Sequence, residues 1–282
     1  TWGILLMDCA FYCVMWVSYE KTRDWGDNGF EVFHLFKVGP FPLQVETMRD
    51  IDRALFLGHD PNVVLQEHFW KPQVRWWDYV ASTTYMTHFV LPIIVMAVLW
   101  AVSHRQWTRF MKRFATLLMV ACTMFILLPT APPWMVGSHK YPYRLFDELQ
   151  RNAGRGFRAM GFKGFTNDYG VQLSHGNAVA AMPSLHASFA LIVPLFFMRW
   201  VRRRWVKAVM LLFPVTMLTS LVYLGEHWVI DGLVGWAITV GAFWFWDWRE
   251  QATRDRRALA ALGELPPADG PADAADVELA PA

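Results

Sequence analysis

The chain has 282 residues, 55% hydrophobic, 16% aromatic and 18% charged, with 16 tryptophans, a balance too apolar for an ordinary soluble domain. It reads as an integral membrane protein. A net charge of +2 gives no case for nucleic acid as a partner, no zinc-type Cys/His spacing calls for a metal, and Cys9, Cys13 and Cys122 sit in apolar stretches as small hydrophobes rather than a disulfide framework.

A bilayer-crossing helix needs about 20 mostly apolar residues. In chain order, the windows 2–19, 79–102, 110–128, 184–201, 206–224 and 228–248 meet or nearly meet that requirement. Thr1 is not an initiator, so the native N-terminus is expected upstream and no targeting segment can be read. Residues 20–78, with seven basic and ten acidic residues and many aromatics, are too long for a bare turn. They predict short interfacial helices, with Trp70, Trp76 and Trp77 near the headgroups. His88 and Pro92 interrupt the second window, and a histidine at that depth reads as a packed, hydrogen-bonded residue facing protein.

Basic residues set the orientation. Arg105, Arg109, Lys112 and Arg113 follow the second window; Arg199, Arg202, Arg203, Arg204 and Lys207 separate the fourth and fifth; Arg249, Arg254, Arg256 and Arg257 follow the sixth. With six spans these clusters share one side, which the positive-inside rule makes cytoplasmic. The expected fold is all-α, a polytopic membrane protein of six transmembrane helices with extracytoplasmic interfacial segments. Residues 1–78 hold the first helix and an outer segment, 79–250 the membrane core, and 251–282 a disordered cytoplasmic tail rich in Ala, Pro, Asp and Glu.

The second outer segment, 129–183, carries Lys140, Arg144, Arg151, Arg155, Arg158 and Lys163 against three acidic residues, enough to attract an anion or anionic lipid. It ends in Pro183-Ser184-Leu185-His186, where proline holds the chain extended and Ser184 is placed to cap the next helix. His186 then lies in the first turn, where an imidazole near a helix N-terminus can serve a phosphate as general acid. A second motif, His227-Trp228-Val229-Ile230-Asp231, opens the last window, where the N-terminus of the expected helix likewise offers free N–H groups and positive dipole to a phosphate. On a helix His227 and Asp231 would share a face, so the carboxylate can hold one ring nitrogen and leave the other to attack phosphorus. Both motifs fall on the extracytoplasmic side, and both imidazoles are expected to line one cavity there.

These residues resemble the type 2 phosphatidic acid phosphatase superfamily, which joins Pro-Ser-Gly-His to a later His with Asp four positions on. Leu128-Pro129-Thr130-Ala131-Pro132-Pro133-Trp134, Met182-Pro183-Ser184-Leu185-His186-Ala187 and Tyr223-Leu224-Gly225-Glu226-His227 look more like the branch containing fungal inositol phosphorylceramide synthase, an inositolphosphotransferase. The resemblance covers about residues 80–248. It implies a six-helix membrane core and a two-step reaction without metal or other cofactor. His227 would attack phosphorus, Asp231 would orient it, His186 would protonate the leaving oxygen and then activate the acceptor, and Ser184 would help hold a phosphate oxygen.

Where the superfamily has a Lys, an Arg before Pro, and an Arg before the His, this chain has Ala121, Leu128 and Leu221. Losing fixed cations should harm a doubly charged monoester more than a singly charged diester, which favours a phosphodiester donor. Lys140 and Arg144 are the nearest candidate replacements. Three functions stay open: transfer of a phospho-headgroup such as inositol phosphate from a phospholipid donor to a lipid alcohol; hydrolysis of a lipid phosphate or polyprenyl pyrophosphate with water as acceptor; and non-catalytic lipid binding. The expected setting is the bilayer of the plasma membrane. His139, His175, Asp168 and Asn177 read as loop residues, Tyr141, Tyr143 and Trp134 as interfacial aromatics, and nothing sets the oligomeric state.

Overall fold

The structure, a computed structural model, describes residues 8, 10, 13–15, 17–22, 25, 29–32, 36–136, 149–162 and 180–261. Most of window 2–19 lies outside them, as do Lys140, Arg144, Lys163, His139, His175, Asp168, Asn177, Tyr141 and Tyr143. In the first outer segment, strands β1 (Phe30–Val32) and β2 (Phe36–Val38) pair antiparallel between Gly29 and Gly39, both at positive φ. Most of the other described residues are helical, some of them between 8 and 25, and the helices from residue 47 onward position the site. They are α1 (Thr47–Leu55), α2 (Pro61–Phe69), α3 (Trp76–Val102), α4 (His104–Leu127), α5 (Pro133–Val136), α6 (Arg155–Ala159), α7 (Leu185–Phe197), α8 (Arg204–Tyr223) and α9 (Val229–Ala261).

Among the described residues, α4, α8 and α9 are long and apolar enough to cross a bilayer, and α3 is a fourth if its bent halves form one span. The halves Trp76–His88 and Val90–Val102 meet at 46°. Pro92 explains the bend: it has no N–H to return to the carbonyl of His88, four residues back. α7 is shorter, ending in a 3-10 turn over Met198–Trp200, so window 184–201 yields a helix of about 24 Å against a hydrocarbon core of about 30 Å. α9 instead runs on to Ala261, past residue 251 where a disordered tail was expected. Its extension is built from Arg, Glu, Gln and Ala, residues that are polar yet strong helix formers.

α7 is the hub. One side packs with α4 through Phe110, Phe114, Leu117, Ile192 and Phe196; another sets Ala187 and Ala190 against Met217 and Leu221 of α8 and Tyr85 of α3. The ends are pinned by polar contacts. At one, Arg109 and the fully buried Arg113 of α4 bond Glu250 of α9, and Arg113 also reaches Asp247. At the other, Tyr223 donates to Asp78 at 2.6 Å, tying the last residue of α8 to the first turn of α3. Trp70 and Trp76 are exposed near this second end, and Trp200, Trp205 and Trp248 at the first, the pattern of two interfacial belts.

α9 approaches α7 so closely that a Cβ on Gly235 would lie 2.6 Å from both the Ser184 carbonyl oxygen and Ser188 Oγ. On Gly232 it would meet only the flexible end of Leu218, and on Gly241 nothing within 4 Å. Gly235→Ala should therefore lower stability in detergent by about 1–3 kcal/mol, Gly232→Ala by less, and Gly241→Ala not at all. Equal thermal midpoints for the three variants would contradict this packing.

Candidate functional site

The α8–α9 turn is made by Gly225 at φ +76°, packed where a Cβ would lie 3.1 Å from the Gln150 carbonyl oxygen. His227 follows this turn and precedes α9 rather than riding on it. Its contact with Asp231 arises differently from simple helical spacing. Asp231 is the third residue of α9, and its Oδ2 reaches back to accept from the Trp228 N–H at 3.0 Å, which is half of a capping box. The same oxygen lies 3.3 Å from His227 Nδ1. The carboxylate is fully buried. With Nδ1–H donated to Asp231, Nε2 becomes the lone-pair nitrogen of His227.

That nitrogen faces His186. Ser184 caps α7, its Oγ accepting from the Ala187 N–H at 3.3 Å, which sets His186 in the first turn as expected. His186 Nδ1 lies 3.3 Å from His227 Nε2, with ring centroids 5.4 Å apart. The two rings are closed directly upon each other. The motifs are also joined through the backbone: the Ser184 N–H donates to the Asp231 carbonyl at 2.9 Å. Ser184 itself is fully buried, with its hydroxyl committed to the cap.

His88 belongs to this cluster. Its ring stacks on His186 at 3.9 Å and on Phe189 at 5.0 Å, and Tyr85 stacks on His186 at 4.7 Å. The sequence reading took His88 as packed against protein, which it is. It gave no sign that the packing partner would be the other motif histidine.

The outer helices supply residues that the sequence reading missed. Asp52 of α1, fully buried, accepts from the Val229 N–H at 2.7 Å and the Ile230 N–H at 2.9 Å. These are the first two donors of α9, so the mouth read from sequence as open to phosphate is filled by the protein's own carboxylates. Asn62 of α2 donates to the carbonyls of Val222 at 2.9 Å and His227 at 3.0 Å, and Gln66 donates to that of Tyr223 at 2.9 Å. A bidentate Arg49–Asp60 pair, at 3.1 and 3.2 Å, joins α1 to the start of α2. One signal was available. Asp52 follows Met48 by one turn, on the face that α1 buries.

Of the basic residues in the second outer segment, Arg151 grips Glu226 bidentately at 2.8 and 3.0 Å and lies over the Trp134 ring. Arg155 lies 3.8 Å from Asp78 and bonds the carbonyls of Lys71 and Pro72. Ala121 and Leu221, standing where the superfamily has cations, are fully buried in apolar clusters.

This constellation falls within the stretch recognised by family comparison. The chain belongs to the PAP2 superfamily, whose family model matches residues 46–245. The match takes in α1 and α2 as well as the membrane helices. The chain is also similar to the phosphoinositol dihydroceramide synthase of Bacteroides thetaiotaomicron, with 27% identity over 204 residues. That alignment covers 69% of this chain and 64% of the relative, so the chain spans less than two thirds of that protein's length. No solved structure matches it.

Burial raises the Asp52 carboxyl from 3.8 to about 6, against the pull of the Val229 and Ile230 N–H groups, with Asp231 and Asp60 adding repulsion. The folded state thus binds this proton more tightly than the unfolded chain. The resulting stabilisation is complete below pH 3.8 and lost as pH rises through 6. Relative to Asp52→Asn, the wild type should gain thermal stability as pH falls from 7 to 4. A difference independent of pH over that range would contradict the burial of a titrating carboxyl here.

Proposed function

We propose that the chain is a membrane-embedded, metal-independent lipid phosphotransferase that works through a phosphohistidine. Its reaction is transfer of a phospho-headgroup, such as inositol phosphate, from a phospholipid to a lipid alcohol. The observation that carries this reading is the line Asp231 Oδ2, His227 Nδ1, His227 Nε2, His186 Nδ1, in which each contact is 3.3 Å. It supplies an orienting acid, a nucleophile and a proton donor in the order the chemistry needs.

A phosphoryl group takes the place of the contact between the two imidazoles. The lone pair on His227 Nε2 forms a bond to phosphorus while the bond to the departing alkoxide breaks, and that alkoxide takes a proton from His186. Asp231 stabilises the charge developing on the His227 ring. In the second step His186 removes the proton of an acceptor hydroxyl, whose oxygen bonds to phosphorus as the phosphorus–nitrogen bond breaks. Free His227 is restored. Lys140 and Arg144 are proposed as the phosphate-holding cations, with Ser184 fixing the start of α7.

A phosphodiester donor is favoured because Ala121, Leu128 and Leu221 provide no charge where a monoester would need it. The named activity of the Bacteroides relative points the same way. Water in place of the lipid alcohol would make the same machinery a phosphatase. We further propose six spans comprising the windows read from sequence, a catalytic core of residues 79–250, residence in the plasma membrane and a site on the extracytoplasmic face. The basic clusters around Arg109, Arg199 and Arg249 support that orientation.

Purified protein given phosphatidylinositol labelled in its headgroup should transfer label only when a lipid alcohol is added. Free phosphate from a monoester, with no acceptor dependence, would identify the phosphatase instead. His227→Ala should abolish acid-labile labelling of the protein, and Asp231→Asn should cut turnover by about 10²–10⁴-fold. Unchanged turnover in both variants would refute a role for this line in chemistry. His88→Phe, which keeps a ring against His186, should retain most turnover, whereas His88→Ala should lose about tenfold through misplacement of His186; equal activity in the two would mean that the stack does not position it.

A further inference from the structure

The N-terminus of α9 is where a phosphate would be expected to settle, because unsatisfied N–H groups and the helix dipole favour an anion there. Here three of those donors are already used. Trp228 N–H goes to Asp231, and Val229 and Ile230 N–H go to Asp52, the latter brought in by a helix outside the membrane core. Two carboxylates therefore stand around a mouth whose dipole amounts to about half a positive charge. Among the described residues, the nearby arginines balance other carboxylates: Arg49 pairs with Asp60, Arg151 with Glu226 and Arg155 with Asp78. Asn62 holds the same loop from the neighbouring helix but brings no charge.

We propose that Asp52 is a specificity-determining residue: by filling the mouth of α9 with a carboxylate two residues beyond His227, it sets the site against doubly charged phosphate monoesters and leaves it open to singly charged phosphodiesters. This rests on the phosphoryl-transfer reading above and adds to it the group that does the selecting. The effect is electrostatic and acts on the substrate's charge. Like charges near a site of low dielectric repel, and a dianion feels that repulsion twice as strongly as a monoanion. The raised carboxyl of Asp52, near 6, still leaves it ionised at pH 8. Asp52 also holds the α9 backbone, so its structural and electrostatic effects must be separated.

The test uses the full chain in nanodiscs at pH 8, with inorganic phosphate as the doubly charged probe and dimethyl phosphate as the singly charged one. Affinities are read from the shift of the thermal midpoint. Wild type should bind dimethyl phosphate more tightly than inorganic phosphate, and the reverse order overturns the proposal without any variant. Asp52→Asn should change the ratio of the two affinities about tenfold toward inorganic phosphate. Asn62→Ala, which loosens the same loop without touching charge, should leave that ratio unchanged. A ratio within twofold of wild type in Asp52→Asn, or an equal change in Asn62→Ala, overturns it. Asp52→Ser, which keeps a capping oxygen without charge, repeats the measurement should the Asn variant not fold. Turnover of phosphatidate against phosphatidylinositol should move in the same sense. If wild type turns over neither lipid, the reaction reading fails while the probe affinities still decide the role of Asp52.

Discussion

The site depends on one hydrogen bond, the one that holds Nδ1 of His227 against Asp231. Imidazole has two nitrogens, and only the one without a proton can act as a nucleophile. Donation to a buried carboxylate decides which one that is. The arrangement is demanding, because a carboxylate out of water is costly unless its charge is met by donors. Asp231 meets the requirement on one oxygen only, with the His227 ring and the Trp228 amide both on Oδ2, while Oδ1 is buried without a hydrogen-bond partner among the described residues.

From that bond the rest of the architecture follows outward. The short helix α7 starts beside the start of α9, and the absence of a side chain on Gly235 lets these two helices approach closely, as Gly232 does for α9 and Leu218 of α8. α3 bends where Pro92 interrupts its ladder, which brings Tyr85 and His88 against His186. The outer helices then grip the His227 turn from above through Asp52, Asn62 and Gln66. The outer helices thus hold in place the His186, His227 and Asp231 cluster at the starts of α7 and α9.

Much of this was legible in the residues. Long apolar stretches bounded by charge marked α3, α7, α8 and the start of α9 to within a few positions, because burial in lipid leaves little freedom of composition. Pro183-Ser184 and the His227/Asp231 spacing gave the convergence of two imidazoles. Three features were not legible. The i,i+4 rule placed both His227 and Asp231 on a helix, whereas the helix starts only at Val229 and the acid acts as a cap. The mouth of α9 seemed open only because its partner, Asp52, is 177 residues away in sequence. The extension to Ala261 went unread because composition suggested disorder, while helix propensity in that polar stretch favours the opposite.

The amide of Ser184 and the carbonyl of Asp231 stitch the two helix starts together. Such a seam holds α7 and α9 in register, so swinging a ring makes room between the two imidazoles at less cost than parting a pair of helices. Ring rotation in a packed interior is a local event, whereas helix rearrangements belong to microseconds and beyond. Turning the His186 ring is then the shortest route to space beside His227, and the stacked rings of Tyr85 and His88 behind it limit how far it can turn.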